Sequence, residues 1–320
     1  MRKCIFCKKE KLTEEFNKEH VFPKAIGGTF VIYSVCKECH DKIGSLVDKH
    51  LVDHWFIICE RNRYGLKGQS KKVPTPFTGI HTLGENPEHR VKCVFDRLGK
   101  PTKVKTIPRL EINIDDSGKV LISGNFDTED REKIPEMINK ALRRRGLPEQ
   151  PEDELRKNLK EYSQPSPWIH IETMVDAKKF KKGIVKIAYE LAWHWLGENY
   201  LDDKVGVMIR HYLFNDPLHD DRSDKYPIGG SIKLIGKESL MPIWDYDMTS
   251  HIAYMMVTSN GKIGCYVRIF RTFEGLIQIS DNPTRYPDFR GKFIANNPVD
   301  GSIRETDLNE EFVRIAKMVE

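Results

Sequence analysis

Cys4-Ile5-Phe6-Cys7, Glu19-His20-Val21-Phe22-Pro23, Gly27-Gly28 and Cys36-Lys37-Glu38-Cys39-His40 are the stretches whose reading decides how this chain folds at its N-terminus. Two CxxC pairs are the spacing a single tetrahedral zinc ion needs, because each pair forms a tight knuckle presenting two thiolates, and four thiolates close the shell. A site of four cysteines has no open position for a substrate, so the zinc it implies is structural. Redox CxxC motifs come singly in a βαβ context, which this stretch lacks. The remaining cysteines, Cys59, Cys93 and Cys265, are odd in number and scattered, which argues against a disulfide framework and for a reducing, cytoplasmic setting.

Outward from the cysteines, residues 12–24 and 29–35 read as two extended segments joined at Gly27-Gly28, a pair that supplies the positive φ of a tight reversal. From 41 to 61, Leu46, Val47, Leu51, Trp55, Phe56 and Ile58 fall at helical spacing. The expected module is a β-hairpin followed by a helix, with zinc tying the hairpin's entry to the helix's start. Glu19 and His20 are adjacent, so on a regular strand they point to opposite faces; a shared site requires a bulged or distorted strand. His40 comes from the other end of the hairpin, and the second knuckle turns it back toward Glu19. A carboxylate and an imidazole make a half-filled, open site for a divalent cation, which leaves His20 free as a base.

The acid-His-x-x-Pro core, the glycine pair and both knuckles, in that order over about the first sixty residues, resemble the zinc-containing branch of the HNH endonucleases, whose fold is the ββα-metal finger. The resemblance implies that Glu19 binds the catalytic metal, that His20 is the general base that activates water, and that His40 is the second metal ligand. It implies structural Zn²⁺ on Cys4, Cys7, Cys36 and Cys39. Two departures stand out. The family's middle Asn, which orients the base, falls near Val31, where a main-chain carbonyl or Ser34 would have to serve instead. A third ligand one helical turn after His40 would fall at Gly44, so the ion keeps extra water, which favours Mg²⁺ or Mn²⁺. The implied activity is metal-dependent hydrolysis of DNA phosphodiesters, with RNA an open alternative and restriction or antiviral defence as the setting. A second class of function is a zinc-containing nucleic-acid-binding protein without catalysis. The presence of Glu19, His20 and His40 together argues against it, and the missing middle Asn argues for it.

Charge points to the same partner. The net +5 of the 320 residues is uneven: residues 1–72 carry 15 Lys and Arg against 9 Asp and Glu, and the rest carry 37 against 38. A basic small domain suits a polyanion, and Lys18, Lys24, Lys37 and Lys42 are the candidate phosphate contacts. No run of about eighteen apolar residues is present, so no membrane partner is expected.

The expected fold class is α+β, with an N-terminal ββα-metal zinc module at 1–64, a Gly-, Pro- and Lys-rich linker or surface loop at 65–90, and a larger mixed α+β domain at 91–320 for recognition, regulation or dimerisation, leaving room for a homo-oligomer. In that larger part, 106–114 and 119–124 read as a hairpin about Asp115-Asp116-Ser117-Gly118, and 130–145, 178–196, 202–214 and 307–319 as helices. Segments 168–174, 229–236, 251–258, 262–272 and 276–280 read as strands, with Asn260-Gly261 a strong hairpin signal. Other tempting residues read as structural. His219-Asp220-Asp221 is a solvated turn, and Tyr189, Trp193, Trp195 and Tyr200 pack in a core. Arg210 and His211 are surface or satisfied groups, and His50 and His54 are surface or phosphate-facing.

Overall fold

The computed structural model describes residues 1–68, 70–84, 86–96, 100–162, 168–172, 177–214, 230–234 and 239–319. It is mixed α+β and divides into two compact units, 1–74 together with 175–320, and 75–174. The first unit opens with a small antiparallel ladder of β1 (Arg2–Lys3) and β2 (Glu10–Lys11), between which the chain reverses through Lys8 at a φ of 60°. β3 (Phe16–His20) then pairs antiparallel with β4 (Val31–Cys36). Gly27, with φ 86°, and Gly28 make the connection, and both positions demand glycine. A Cβ on Gly28 would lie 1.7 Å from the Phe22 carbonyl oxygen, and one on Gly27 would lie 2.4 Å from Pro298.

The helical stretch that follows is not one continuous helix. α1 (Lys37–Ile43) passes through a π-helical segment, Gly44–Asp48, into α2 (Lys49–Val52), and the chain breaks before α3 (Trp55–Arg63). His54 is extended, with ψ 134°, so His50 and His54 are not one turn apart on a helix. His54 is buried among Phe56, Phe180 and Phe273, which corrects the surface or phosphate-facing role expected for it.

The second unit holds β5 (His81–Leu83), β6 (Asn86–Phe95) and β7 (Pro101–Thr106), then β8 (Arg109–Ile114), β9 (Val120–Asn125), α4 (Ile134–Arg144), α5 (Glu152–Lys157) and β10 (Ile169–His170). Its main sheet is antiparallel in the order β10-β5-β6-β7. The β8–β9 hairpin closes on Asp115, whose carboxylate accepts the Ser117 and Lys119 amides, and α4 buries Ile134, Ile138 and Leu142 with Ile112.

The chain returns to the first unit with α6 (Ala177–Leu196), α7 (Lys204–Phe214), β11 (Gly230–Leu234), β12 (His251–Val257), β13 (Ile263–Ile269), β14 (Phe273–Ser280), β15 (Lys292–Asn296), β16 (Ile303–Asp307) and α8 (Leu308–Val319). The six strands form an antiparallel sheet in the order β11-β14-β13-β12-β15-β16. β13 is buried at all its residues because both faces of the sheet are covered. Alternation assigns the faces: Ala253, Met255, Cys265, Val267 and Ile269 join a core with α6, α7 and the N-terminal segment, whereas Ile252, Tyr254, Tyr266 and Phe293 meet Trp244 and α8.

This division departs from the boundaries expected at 64 and 90. Ile5, Phe6, Val21, Phe22 and Ile26 share one core with Ile184, Ile187, Ala188, Tyr189 and Leu191. A segment of about sixty residues has too little interior to bury such side chains alone. β5 and the start of β6 also lie inside the stretch read as linker. Among the described residues no helix is long and apolar enough to cross a membrane. The expected turn at 219–221 lies outside the described residues.

Candidate active site

The frame comes first. Cys4 and Cys7 sit in the turn between β1 and β2, fixed by the Cys4 amide to the Lys9 carbonyl (3.0 Å) and the Lys8 amide to the Cys4 carbonyl (2.9 Å). Cys36 caps α1, its amide donating to Cys4 Sγ at 3.4 Å, and Cys39 lies in the first turn of that helix. The four thiols lie within 4.8 Å of one another, and the Cys7 and Cys36 sulfurs are 3.9 Å apart. A tetrahedron with Zn–S arms of about 2.3 Å has edges of about 3.8 Å, so the cluster fits zinc. Its protonation fits as well. The hydrogen bond from Cys39 holds Cys4 down to about 4 against the opposing effect of burial, and Cys39 is pushed far up by Cys4 and by burial. Four thiols this close cannot all ionise without a cation to share.

The knuckle at the start of α1 delivers His40 to Glu19. His40 Nδ1 lies 2.6 Å from Glu19 Oε2, with the imidazole about a third exposed and the carboxylate buried. The β3–β4 pairing slips between Asn17 and Glu19, where Tyr33 and Ser34 of β4 oppose Lys18; Glu19 and His20 themselves stay in consecutive register with Ile32 and Val31, so the distortion expected on their own strand is not found there. His20 pairs with Val31 in register, and its ring is half-buried. Among the described residues nothing hydrogen-bonds that ring. Ser34 uses its main-chain carbonyl to accept the Ile5 amide. Burial, followed by Lys18, lowers the His20 pKa, which favours the neutral ring.

Glu19 has a second partner, which sequence reasoning missed. Lys186, wholly buried on α6, donates to Glu19 Oε1 at 2.7 Å and to the His20 carbonyl at 2.9 Å. Its ammonium also lies 3.1 Å from Glu190 Oε2 and 3.6 Å from Asp48 Oδ2, the latter brought in by the π-helical segment. The available signal was the pair Lys186 and Glu190 itself: four apart, they are the charged residues in the otherwise apolar run 183–193. Gly183 sets the depth of α6, since a Cβ there would meet Leu51 of α2 at 2.8 Å.

Other residues of the same unit hold the hairpin loop. Asn296 accepts the Thr29 and Phe30 amides (2.8 and 3.2 Å) and donates to the Gly27 carbonyl. His251 donates from Nε2 to the Ile26 carbonyl (2.8 Å) and accepts the Phe270 amide at Nδ1, and burial keeps it neutral with a pKa of about 4. Tyr189 donates to the Ile5 carbonyl at 2.6 Å and accepts from the buried, satisfied Arg210. Tyr189 and Tyr200 are buried, and Trp193 and Trp195 pack at the core's edge.

Residues 4–56 match the sequence profile of the HNH endonuclease family. The chain carries an HNH module at its N-terminus. Neither a curated protein nor a solved structure was found to match the chain.

In the HNH module the lysines expected to meet phosphate are all exposed. Lys18 and Lys24 lie near enough to His20 to depress its pKa, and Lys42 is paired with Glu38 at 2.9 Å. Glu19 Oε2 and His40 Nδ1 are bonded to one another at 2.6 Å, with solvent on the histidine side. One carboxylate oxygen and one imidazole nitrogen are a donor set that a water-rich divalent ion would take once the two atoms part to admit it. Among the described residues only the cysteine cluster gathers three or more metal-ligating groups, so an ion at Glu19 and His40 would have two protein ligands.

Proposed function

We propose that the chain is a metal-dependent endonuclease that hydrolyses DNA phosphodiester bonds, with the four cysteines as a zinc-bound frame and Glu19, His20 and His40 as the centre. The observation that carries this reading is the meeting of Glu19 Oε2 and His40 Nδ1 at 2.6 Å, one residue along the chain from His20, inside the segment that matches the family profile. Glu19 and His40 would hold Mg²⁺ or Mn²⁺. When bound, the ion supplies Lewis-acid stabilisation of the charge that develops on the phosphate. Neutral His20 accepts the proton of the attacking water. Lys18, Lys24 and Lys37 seat the phosphate backbone, with Lys42 beside them in its pair with Glu38. The setting in restriction or antiviral defence rests on the family resemblance alone.

The test is plasmid nicking with Mg²⁺ or Mn²⁺ omitted and restored, and with His20→Ala alongside. The variant is expected to lose about 10²–10⁴-fold in rate while keeping its zinc content and melting temperature. Equal rates for wild type and variant refute the assignment. A second reading, nucleic-acid binding without catalysis, draws on the absence, among the described residues, of any hydrogen bond to the His20 ring. It predicts DNA binding with no nicking under any metal condition.

A further inference from the structure

Lys186 lies outside the matched segment, yet its ammonium bridges the two consecutive residues on which the proposed chemistry depends. Its protons go to Glu19 Oε1 (2.7 Å) and to the His20 main-chain oxygen (2.9 Å), with Glu190 Oε2 at 3.1 Å. The neighbours on the same turns of α6 are Ile184, Ile187 and Leu191, all wholly buried. An aliphatic residue would therefore serve the packing here, and a fully buried ammonium is costly unless its partners are closely placed.

The geometry has two consequences. Glu19 Oε1 is taken by Lys186, so Oε2 alone meets His40 Nδ1. The main chain at His20 is held from inside, where the residue opposite it in the hairpin, Val31, has no polar side chain to offer. We propose that Lys186 is a positioning residue of the nuclease centre, acting through Glu19 and the His20 main chain to fix a one-oxygen ligand and the seat of the base. The inference rests on the nuclease reading of that site. The Lys186 ammonium is also the counter-charge of the buried Glu19 carboxylate, so that ligand loses both a bond and a partner when Lys186 is removed. Removing Lys186 should therefore weaken both metal binding and cleavage in a protein that keeps its zinc and melts cooperatively, whereas loss of a purely structural residue would only lower the melting temperature.

The experiment uses the full chain with its zinc, as Lys186→Met and as Lys186→Met/Glu190→Gln. The double variant also removes the Glu190 carboxyl, which leaves Glu19 and Asp48 as the acids facing the gap. Mn²⁺ binding is read without substrate, by electron paramagnetic resonance of the free ion, and plasmid nicking is read at saturating Mn²⁺. The expected result in a variant that melts cooperatively is Mn²⁺ binding weaker by about tenfold together with nicking slower by about tenfold or more at saturating Mn²⁺. Unchanged or tighter Mn²⁺ binding overturns the proposal, as does an unchanged nicking rate at saturating metal. Wild-type protein that binds Mn²⁺ but nicks no DNA would refute the nuclease reading instead, and weaker Mn²⁺ binding by the variant would still uphold the hold of Lys186 on Glu19.

Discussion

Glu19 has both carboxylate oxygens engaged, one by Lys186 and one by His40, and this decides its charge. Burial pushes the carboxyl up, but Lys186 and His40 together outweigh it and hold the pKa at about 2. Asp48 and Glu190 face the same ammonium and go the other way. Burial raises Asp48 to about 6 and Glu190 well above the usual carboxylate range. One ammonium cannot keep every surrounding carboxyl ionised in a poorly solvated site, and the one with a second partner stays charged. Cys36 shows a similar economy, serving as N-cap of α1, as a bonded amide and as a member of the cysteine cluster that could hold zinc. Cys36→Ser is expected to lose the bound zinc by elemental analysis and to lower stability by several kcal/mol; zinc retained at the wild-type level would refute the cluster. The cysteine cluster and the meeting of Glu19 with His40 were legible in the sequence because motif spacing announces them. Lys186 was not, since 167 residues separate it from Glu19 and only folding brings them together.

Among the elements, α8 is fixed to the sheet by an acid. Glu311 accepts from Arg304 on β16 at 3.0 Å, from Arg314 on its own helix and from Tyr246 Oη, both at 2.6 Å. Burial pushes its carboxyl up, and those donors more than offset this, holding it at about 2 against an ordinary value of 4.5. A folded-state pKa below the unfolded one gives stability that is present above pH 4.5 and lost as pH falls toward 2. Glu311→Gln should therefore cost about 1–3 kcal/mol at pH 7, and the gap in melting temperature from wild type should narrow steadily below pH 4.5. A gap independent of pH would show that the charge is not what holds the helix. Periodicity made α6, α7 and α8 readable, and Asn260-Gly261 made the β12–β13 hairpin readable. The break before His54 was hidden because Trp55, Phe56 and Ile58 continue an apolar spacing that α3 also satisfies. β15 and β16 were missed although Asp300-Gly301, with Gly301 at a φ of 76°, marks the turn between them, because each is five residues long and β16 is polar at every position but Ile303.

At the scale of the whole molecule, the HNH module shares a unit with residues that follow a hundred-residue insertion, Thr75–Met174. Such a discontinuous unit leaves no mark in composition, which is why the boundaries at 64 and 90 looked natural in the sequence while the α+β class was read correctly. Residues 1–74 expressed alone are expected to show no cooperative thermal transition by circular dichroism, even with zinc supplied. Ile5, Phe6, Val21 and Phe22 would lose their cover, and the loop at Gly27–Phe30 its hold on Asn296. A cooperative transition in that fragment would show the module to be autonomous. The buried bridge from Lys186 to Glu19 also imposes an order in time. During synthesis the motif leaves the ribosome on the order of ten seconds before Lys186 does, so the newborn chain displays its cysteines and His20 while the centre they belong to does not yet exist. The proposed centre is therefore complete only once the chain has run 167 residues beyond Glu19.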